Sequence, residues 1–462
     1  MTAIIRARNF AFRLVSREHI LSLADQSIVS ATSFSTTFLI AHWSGPTQLG
    51  IYALGLTLLL SVVAFQESLI LQPYQIHRFY PEGTPAERAG ASLILSILFS
   101  AASMLLLIVA ALGLLGWHAS PETVVMTGAI AGIIPLALTR EFVRRFAFAH
   151  LDSGQVLLLD FAAAAIQLST LGWLGVSGRM SATSACAALG AACAVPTVIW
   201  LYFARAEFAI RLRHVRLALK QTWALGKWLL VGRVTVQVQG CVTYWLAAAI
   251  GGAAVTGVYA ACMSVVGLAN PLALGLINIF FPKSVLAWKL GGGPMLWREA
   301  IQNTVLMAAV MTAFSSAVFI GGDHVMRFLY HGREFEGQGQ TLMVLALATS
   351  SGSLGTPASI ALATMKRPRP IIVVTTIEAV LTVALVWMLL TEWGLLGAAY
   401  GLLAGNVTGA VGRWVAFYVS IPKFSDPEPV ERVLQEFTES VDNSRWTITR
   451  ISGNADFRGF RH

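Results

Sequence analysis

The chain has 462 residues, of which 56% are hydrophobic and only 12% charged, and its mean hydropathy is +0.68. Soluble domains carry charge on about a quarter of their residues, so this composition excludes a string of soluble domains and points to a bilayer protein. The four cysteines, Cys186, Cys193, Cys241 and Cys262, all lie in apolar stretches without a CxxC, which suits packing rather than disulfides or a metal site. The nine histidines lack metal-ligand spacing, with His324 and His331 coming nearest.

The basic N-terminal stretch MTAIIRARNFAFRLVSREH precedes an apolar run that ends in HWSGP, with no small-residue cleavage site. It reads as a cytoplasmic amphipathic lead-in over 1–22. A membrane-spanning helix needs roughly 20 mostly apolar residues. On that basis the chain predicts about twelve, at 23–42, 48–70, 90–113, 120–139, 155–175, 181–203, 225–250, 254–281, 300–320, 340–363, 371–391 and 394–420. A cytoplasmic linker at 204–224 divides them six and six, giving bundles at 23–203 and 225–420. A proline- and acid-containing tail at 421–462 is expected to be disordered and cytoplasmic.

Orientation follows from lysine and arginine placement. With the N-terminus inside, the cytoplasmic segments before the tail hold 21 basic residues, whereas the external loops hold only Arg179, Arg327 and Arg333. The net charge of +9 therefore reflects topology and anionic headgroups, not a nucleic-acid partner.

An echo links the two halves. Gly50-Ile51-Tyr52-Ala53 opens the second helix and Gly257-Val258-Tyr259-Ala260 opens the eighth, an offset of 207 residues. Six helices per repeat return the chain to the same side, so the repeats are parallel, related by an axis along the membrane normal. The preceding helices are both unusually polar. In the first, Asp25, Val29, Thr32 and Thr36 line one side, with Gln26, Ser30, Ser33 and Thr37 beside them; in the seventh, Arg233, Gln237, Gly240 and Tyr244 share a face. Hydroxyl stripes of this kind also serve as glue between helices. Charges inside a span usually face a bundle interior or a watery cavity.

Together with these features, the ILQPYQIHRFY exit of the second helix, REFVRRFAFAHLDSGQ after the fourth and GVYAACMSVVGLANP in the eighth resemble polysaccharide-type flippases. These belong to the multidrug/oligosaccharidyl-lipid/polysaccharide (MOP) exporter superfamily. The resemblance covers the twelve helices and leaves out the tail. It implies an all-α integral membrane fold, MOP/MATE-like, with two six-helix bundles around a central cavity. It also implies alternating access that carries an undecaprenyl-diphosphate-linked oligosaccharide across the bacterial cytoplasmic (inner) membrane, in concert with membrane lipids and polysaccharide polymerase machinery.

A diphosphate headgroup in a low-dielectric cavity needs positive charge, and the planar fork of arginine suits it. Arg233 is the first candidate, with an intramembrane salt bridge, to Asp25 for instance, as its structural alternative; Gln237 and Gln26 lie nearby on the polar faces. Arg140, Arg144 and Arg145 form a basic collar at the cytoplasmic mouth that positive-inside bias explains equally well, and Glu141 is placed to pair with Arg145 along the helix. Arg413 is expected to snorkel to the interface. Asp25, Glu67 and Glu378 are the candidates for coupling to H⁺ or Na⁺, being neutral or paired if buried; Asp160, near a helix start, is expected to be interfacial. Asn270-Pro271, flanked by Gly267 and Gly275, is a candidate hinge.

Two alternatives stay open: a MATE-like drug or organic-cation antiporter, which wants unpaired acids in its cavity, and a membrane-embedded polysaccharide polymerase or ligase. The latter class generally needs a sizeable external loop, and the longest here, 321–340, is short. No nucleotide or metal motif is present, and Gly291-Gly292-Gly293 lacks the flanking lysine of a phosphate loop, which makes it a turn rather than a site and leaves no cofactor to expect.

Overall fold

The computed structural model describes residues 2–77, 84–117, 120–150, 152–209, 211–330, 335 and 337–421, with side chains from residue 21 onward. The tail beyond Ile421, together with Arg78, His331 and Arg333, lies outside the described residues. Among the described residues twelve helices cross the molecule. Thr2–Gln66 is one helical run broken at Gly45 into α1 (2–44) and α2, which continues to His77. Then come α3 (Pro85–Gly116), α4 (Pro121–Ala149), α5 (Ser153–Val176) and α6 (Ala182–Phe203). Leu212–Val266 breaks at Gly252 into α7 (212–251) and the start of α8, which continues to residue 291. After the break at Gly292 follow α9 (293–329), α10 (339–364, interrupted at Leu354-Gly355), α11 (368–393) and, past Gly394, α12 (395–420).

Several starts are written into the sequence. Thr84 and Glu87 form a reciprocal capping box at the head of α3, with Pro85 in the first turn, and Ser181 caps α6 in the same way with Ser184. The α1/α2 corner turns on Gly45 (φ 76°) and the α7/α8 corner on Gly252 (φ 83°), a left-handed conformation that glycine adopts without a Cβ penalty. These two glycines are again 207 residues apart.

The echo is also a contact. A Cβ on Gly50 would lie 1.8 Å from the Ala253 carbonyl oxygen, and one on Gly257 would lie 1.9 Å from the Pro46 carbonyl oxygen. Pro46 and Ala253 share the offset too, so α2 and α8 meet backbone to backbone about a pseudo-twofold axis, each presenting the same surface to the other. The main hydrophobic core runs through this seam, joining Ile40, Leu49 and Tyr52 of one lobe to Tyr259, Cys262 and Tyr330 of the other. Large apolar side chains cover the outside, as on α3, where Leu98, Leu105, Leu106, Val109 and Leu112 are exposed. Among the described residues seven helical runs are long and apolar enough to cross a membrane, and several of them contain more than one crossing. This is a multi-pass membrane protein.

The helices overrun the apolar cores read from sequence. The 204–224 linker is helical from Leu212 and runs unbroken into α7, and the lead-in is helical from Thr2. Hydropathy sees only the apolar middle of such a helix, while its polar ends continue on helix-forming Arg, Leu, Ala and Lys. The four cysteines are free thiols, three of them buried.

Gly50→Ala should destabilise the protein by about 1–3 kcal/mol through overpacking at the seam. Gly128→Ala, whose added methyl meets nothing within 4 Å, should be neutral or slightly stabilising in the same thermal-unfolding assay.

Candidate functional site: an ion-pair network between the lobes

With helices alternating in direction, one face of the molecule carries the Gly45 and Gly252 corners and the other carries the ends of α2 and α4 and the start of α7. Near this second face α4 presents Arg140 and Arg144 one turn apart towards α5, and Glu141 and Arg145, likewise one turn apart, towards α2. Asp160 of α5 receives both arginines, from Arg140 Nη2 at 2.6 Å and from Arg144 Nε at 2.7 Å. Arg144 reaches Asp25 of α1 at 3.3 Å and Glu141 at 3.0 Å. Glu141 accepts from Arg145 Nε at 2.8 Å, and Arg145 Nη2 donates to Glu67 of α2 at 2.8 Å. The other Glu67 oxygen takes Arg233 of α7 at 3.2 Å, which carries the chain of charges into the second lobe.

Glu67 opens a π turn, Glu67–Leu71, in the middle of α2. A π turn inserts one residue and re-aims the side chains around it. Its neighbour Gln66 is fully buried and donates to Ser96 of α3 and to the Leu138 carbonyl of α4, at 2.6 and 3.1 Å. The bulge thus anchors one side chain inside the lobe and turns the next to the lobe boundary.

Four carboxylates and four guanidiniums balance, but not in space. The acids are covered, with side-chain exposures of 1% for Asp25, 0% for Asp160, 11% for Glu141 and 10% for Glu67. Arg145 is 34% exposed and Arg233 40%. The network therefore shows its cationic side at the boundary between the lobes.

Several expectations change here. Arg233 pairs with Glu67, and Asp25 pairs with Arg144. Asp160 is buried and central rather than interfacial, because α5 faces α4 at that turn. The arginine collar is fully engaged with carboxylates. Arg413 does not reach out to the interface; it is ion-paired to Glu378 of α11 in the second lobe, away from the network. The Glu141–Arg145 pair forms as expected. Gln26 donates to Asp25 at 3.2 Å, at the edge of the network. Gln237 lies one turn from Arg233 and donates to Ser61 of α2 at 3.1 Å, tying α7 to α2. Thr36, on the Asp25 stripe, turns inward and accepts from Gln167 of α5 at 3.0 Å, so this face of α1 packs within its own lobe. Ser30, on the neighbouring stripe, donates to the Gly267 carbonyl of α8 at 3.2 Å. That carbonyl belongs to a 3₁₀ turn, Gly267–Ala269, which precedes Asn270 and Pro271 and interrupts α8 where the hinge was expected. Among the described residues no cluster of three or more His, Cys, Asp or Glu has the arrangement of a metal site.

No protein-family model matches the sequence, and no curated protein matches it. Among solved structures it is similar to the inward-facing conformation of a multidrug resistance MATE family transporter of the MOP superfamily. The TM-score is 0.65 at 15% identity, over 87% of this chain and 94% of that one. The outward-facing conformation of such a transporter gives 0.63 at 14% identity, over 88% and 95%. A MOP superfamily transporter from Pyrococcus furiosus Vc1, described as having a binding pocket of reverse polarity that suggests a different function, gives 0.64 at 13% identity, over 88% and 95%. At these identities the likeness is one of fold, that of MATE transporters: an all-α membrane protein of two six-helix bundles.

Arg144→Ala would strand the buried Asp25, leave Asp160 with Arg140 alone and Glu141 with Arg145 alone, and should cost about 3–5 kcal/mol. Arg144→Lys should recover little of it, since Arg144 reaches Asp25, Glu141 and Asp160 from three separate nitrogens and an ammonium donates from one. Thermal unfolding of the purified variants reads both.

Proposed function

We propose that this chain is an alternating-access transporter of the bacterial cytoplasmic membrane, with both termini cytoplasmic, and that its cargo has an anionic headgroup. The cargo that suits best is an undecaprenyl-diphosphate-linked oligosaccharide, handed on to polysaccharide polymerase machinery. The supporting observation is the exposure of Arg145 and Arg233 above a shared, covered Glu67. An anion entering between the lobes meets two guanidiniums first, and phosphate oxygens match their fork geometry. Binding would replace Glu67 as their partner and loosen the bridge between lobes at the same moment. The orientation rests on the 21-to-3 partition of basic residues.

Coupling to H⁺ or Na⁺ belongs to the same proposal. Asp25 and Asp160 converge on one guanidinium, that of Arg144, and a proton on one of the two carboxylates would relieve their repulsion.

A second reading, a MATE-like exporter of organic cations, draws on the multidrug transporters to which the fold is similar. Against it stands the pairing of the acids it would need: Asp25 with Arg144, Glu67 with Arg145 and Arg233, and Glu378 with Arg413.

Arg233→Ala and Arg145→Ala, at normal protein level, should each lower delivery of the lipid-linked oligosaccharide or its polymer at least tenfold. Wild-type delivery by both variants would remove the anionic reading. Dye or drug accumulation in cells lacking the chain, restored by the wild type, would favour the cation exporter.

A further inference from the structure

The pseudo-twofold relation that builds the seam fails at one place. On one side of the axis the site related to the start of α2 is sealed. Val258, Ala261 and Val265 of α8 are buried in the core, and Phe38 of α1 packs on Tyr330 at a ring separation of 6.2 Å. Tyr330 in turn stacks on Phe335 at 5.2 Å and hydrogen-bonds Ser264 at 2.8 Å. Subtracting 207 from the α8 positions gives Ile51, Leu54 and Leu58; adding it to Phe38 gives Trp245. On that side no described side chain fills the space. Leu54 and Leu58 are half-buried, Trp245 is 46% exposed, and a groove of about 260 Å³ runs between α2, α4 and α7.

The groove is amphiphilic in a definite order. Its covered lining is aliphatic, made by Leu54, Leu58 and Met126, and its exposed lining carries Glu122 and Thr123, in the first turn of α4, and Trp245. From Ile51 to Leu58 it follows α2 for about 10 Å along the helix axis, the length of a short stretch of acyl chain. A carboxylate and an indole ring on the same exposed lining favour a cation, and the hydroxyl of Thr123, next to Glu122 in the chain, adds a hydrogen-bonding group. A primary ammonium offers the N–H donors such a lining can use, which a trimethylated one lacks.

We infer that this groove is a binding site for a membrane phospholipid with a primary-ammonium headgroup, of the phosphatidylethanolamine type, its acyl chain lying on Leu54 and Leu58 between the lobes. Anionic phosphatidylglycerol meets only repulsion from Glu122. Ala253 of the seam also lines the groove, so the bound chain lies directly beside the contact about which the lobes meet. The lipid thereby takes the place that Tyr330 and Phe335 occupy on the other side. This site is separate from the ion-pair network and does not depend on what the chain transports.

Native mass spectrometry of the purified full chain, titrated with phosphatidylethanolamine or phosphatidylglycerol of matched acyl chains, tests it. The wild type should hold the ethanolamine lipid about fivefold more tightly, the scale of one partly exposed ion pair. Glu122→Gln should bring the two lipids level, Glu122→Asp should keep most of the preference, and Leu54→Trp, which fills the groove, should lower binding of the ethanolamine lipid. Equal binding of both lipids by the wild type, binding of neither, or an unchanged preference in Glu122→Gln would overturn the assignment. Because Glu122 is exposed, that variant tests the site without risk to folding.

Discussion

Eight ionisable side chains are gathered near one face of the molecule, four carboxylates held beneath four guanidiniums. Each carboxylate taken from water costs several kcal/mol unless an opposite charge and hydrogen bonds accompany it. Asp160, Asp25, Glu141 and Glu67 come from four different helices, so meeting that requirement fixes α1, α2, α4 and α5 relative to one another at that depth. Arg144 is the hub, because its guanidinium alone points in enough directions to serve three of them. Hydrophobic burial cannot do this work inside a bilayer, where lipid tails are as apolar as leucine and give no preference for protein over lipid.

The two faces of the molecule join the lobes by different chemistry. At the Gly45 face the backbones of α2 and α8 touch with no side chain between them, a close fit that has no substitute partner. At the opposite face the bond between lobes is Glu67 with Arg233, supported by Gln237 on Ser61 and Ser30 on the Gly267 carbonyl. Polar contacts of this kind can be exchanged for water or for a ligand at small net cost, since each partner keeps a hydrogen bond. Under the alternating-access mechanism proposed above, one joint that separates along bare backbone and another that trades partners would divide the task. The irregular turns in α2 and α8, a π turn at Glu67 and a 3₁₀ turn at Gly267, stand where such a division would require the helices to give.

Much of this was legible in the residues. Twelve spans and the six-and-six division follow from hydropathy and a four-residue echo, whereas the matching corners at Gly45 and Gly252 emerge only from the backbone. That Asp25 and Arg233 take different partners, Arg144 and Glu67, was not legible, and the reason is geometric. A pseudo-twofold axis brings a residue beside its mate only when both lie close to the axis, as Gly50 and Gly257 do. Asp25 and position 232 are related by the same operation but lie away from it, so the offset predicts equivalence there and not contact. Asp160 was misplaced for a different reason. Counting residues from the end of an apolar run says how deep a side chain lies along the helix, whereas burial depends on which way it points. The signal was present in Arg140 and Arg144, spaced one turn apart and needing an acid on the neighbouring helix.

The repeats also record where symmetry was given up. The equivalents of Asp25 and Glu67 in the second half are Gly232 and Leu274, neither able to hold a charge. The second lobe keeps a single described pair among its intramembrane charges, Glu378 with Arg413, remote from the boundary. A duplicated frame thus carries its ionic chemistry almost entirely on one side, and Arg233 is the sole described member of the network that the other side supplies. The ion pairs around Asp25, Asp160 and Glu141 connect to the second lobe through Arg145 and Glu67. Because Glu67 holds Arg145 with one oxygen and Arg233 with the other, a gain on either arm weakens its hold on the opposite one. That gives a carboxylate at a helical bulge the position of a junction, sensitive to what binds at the boundary and to what is protonated within the lobe.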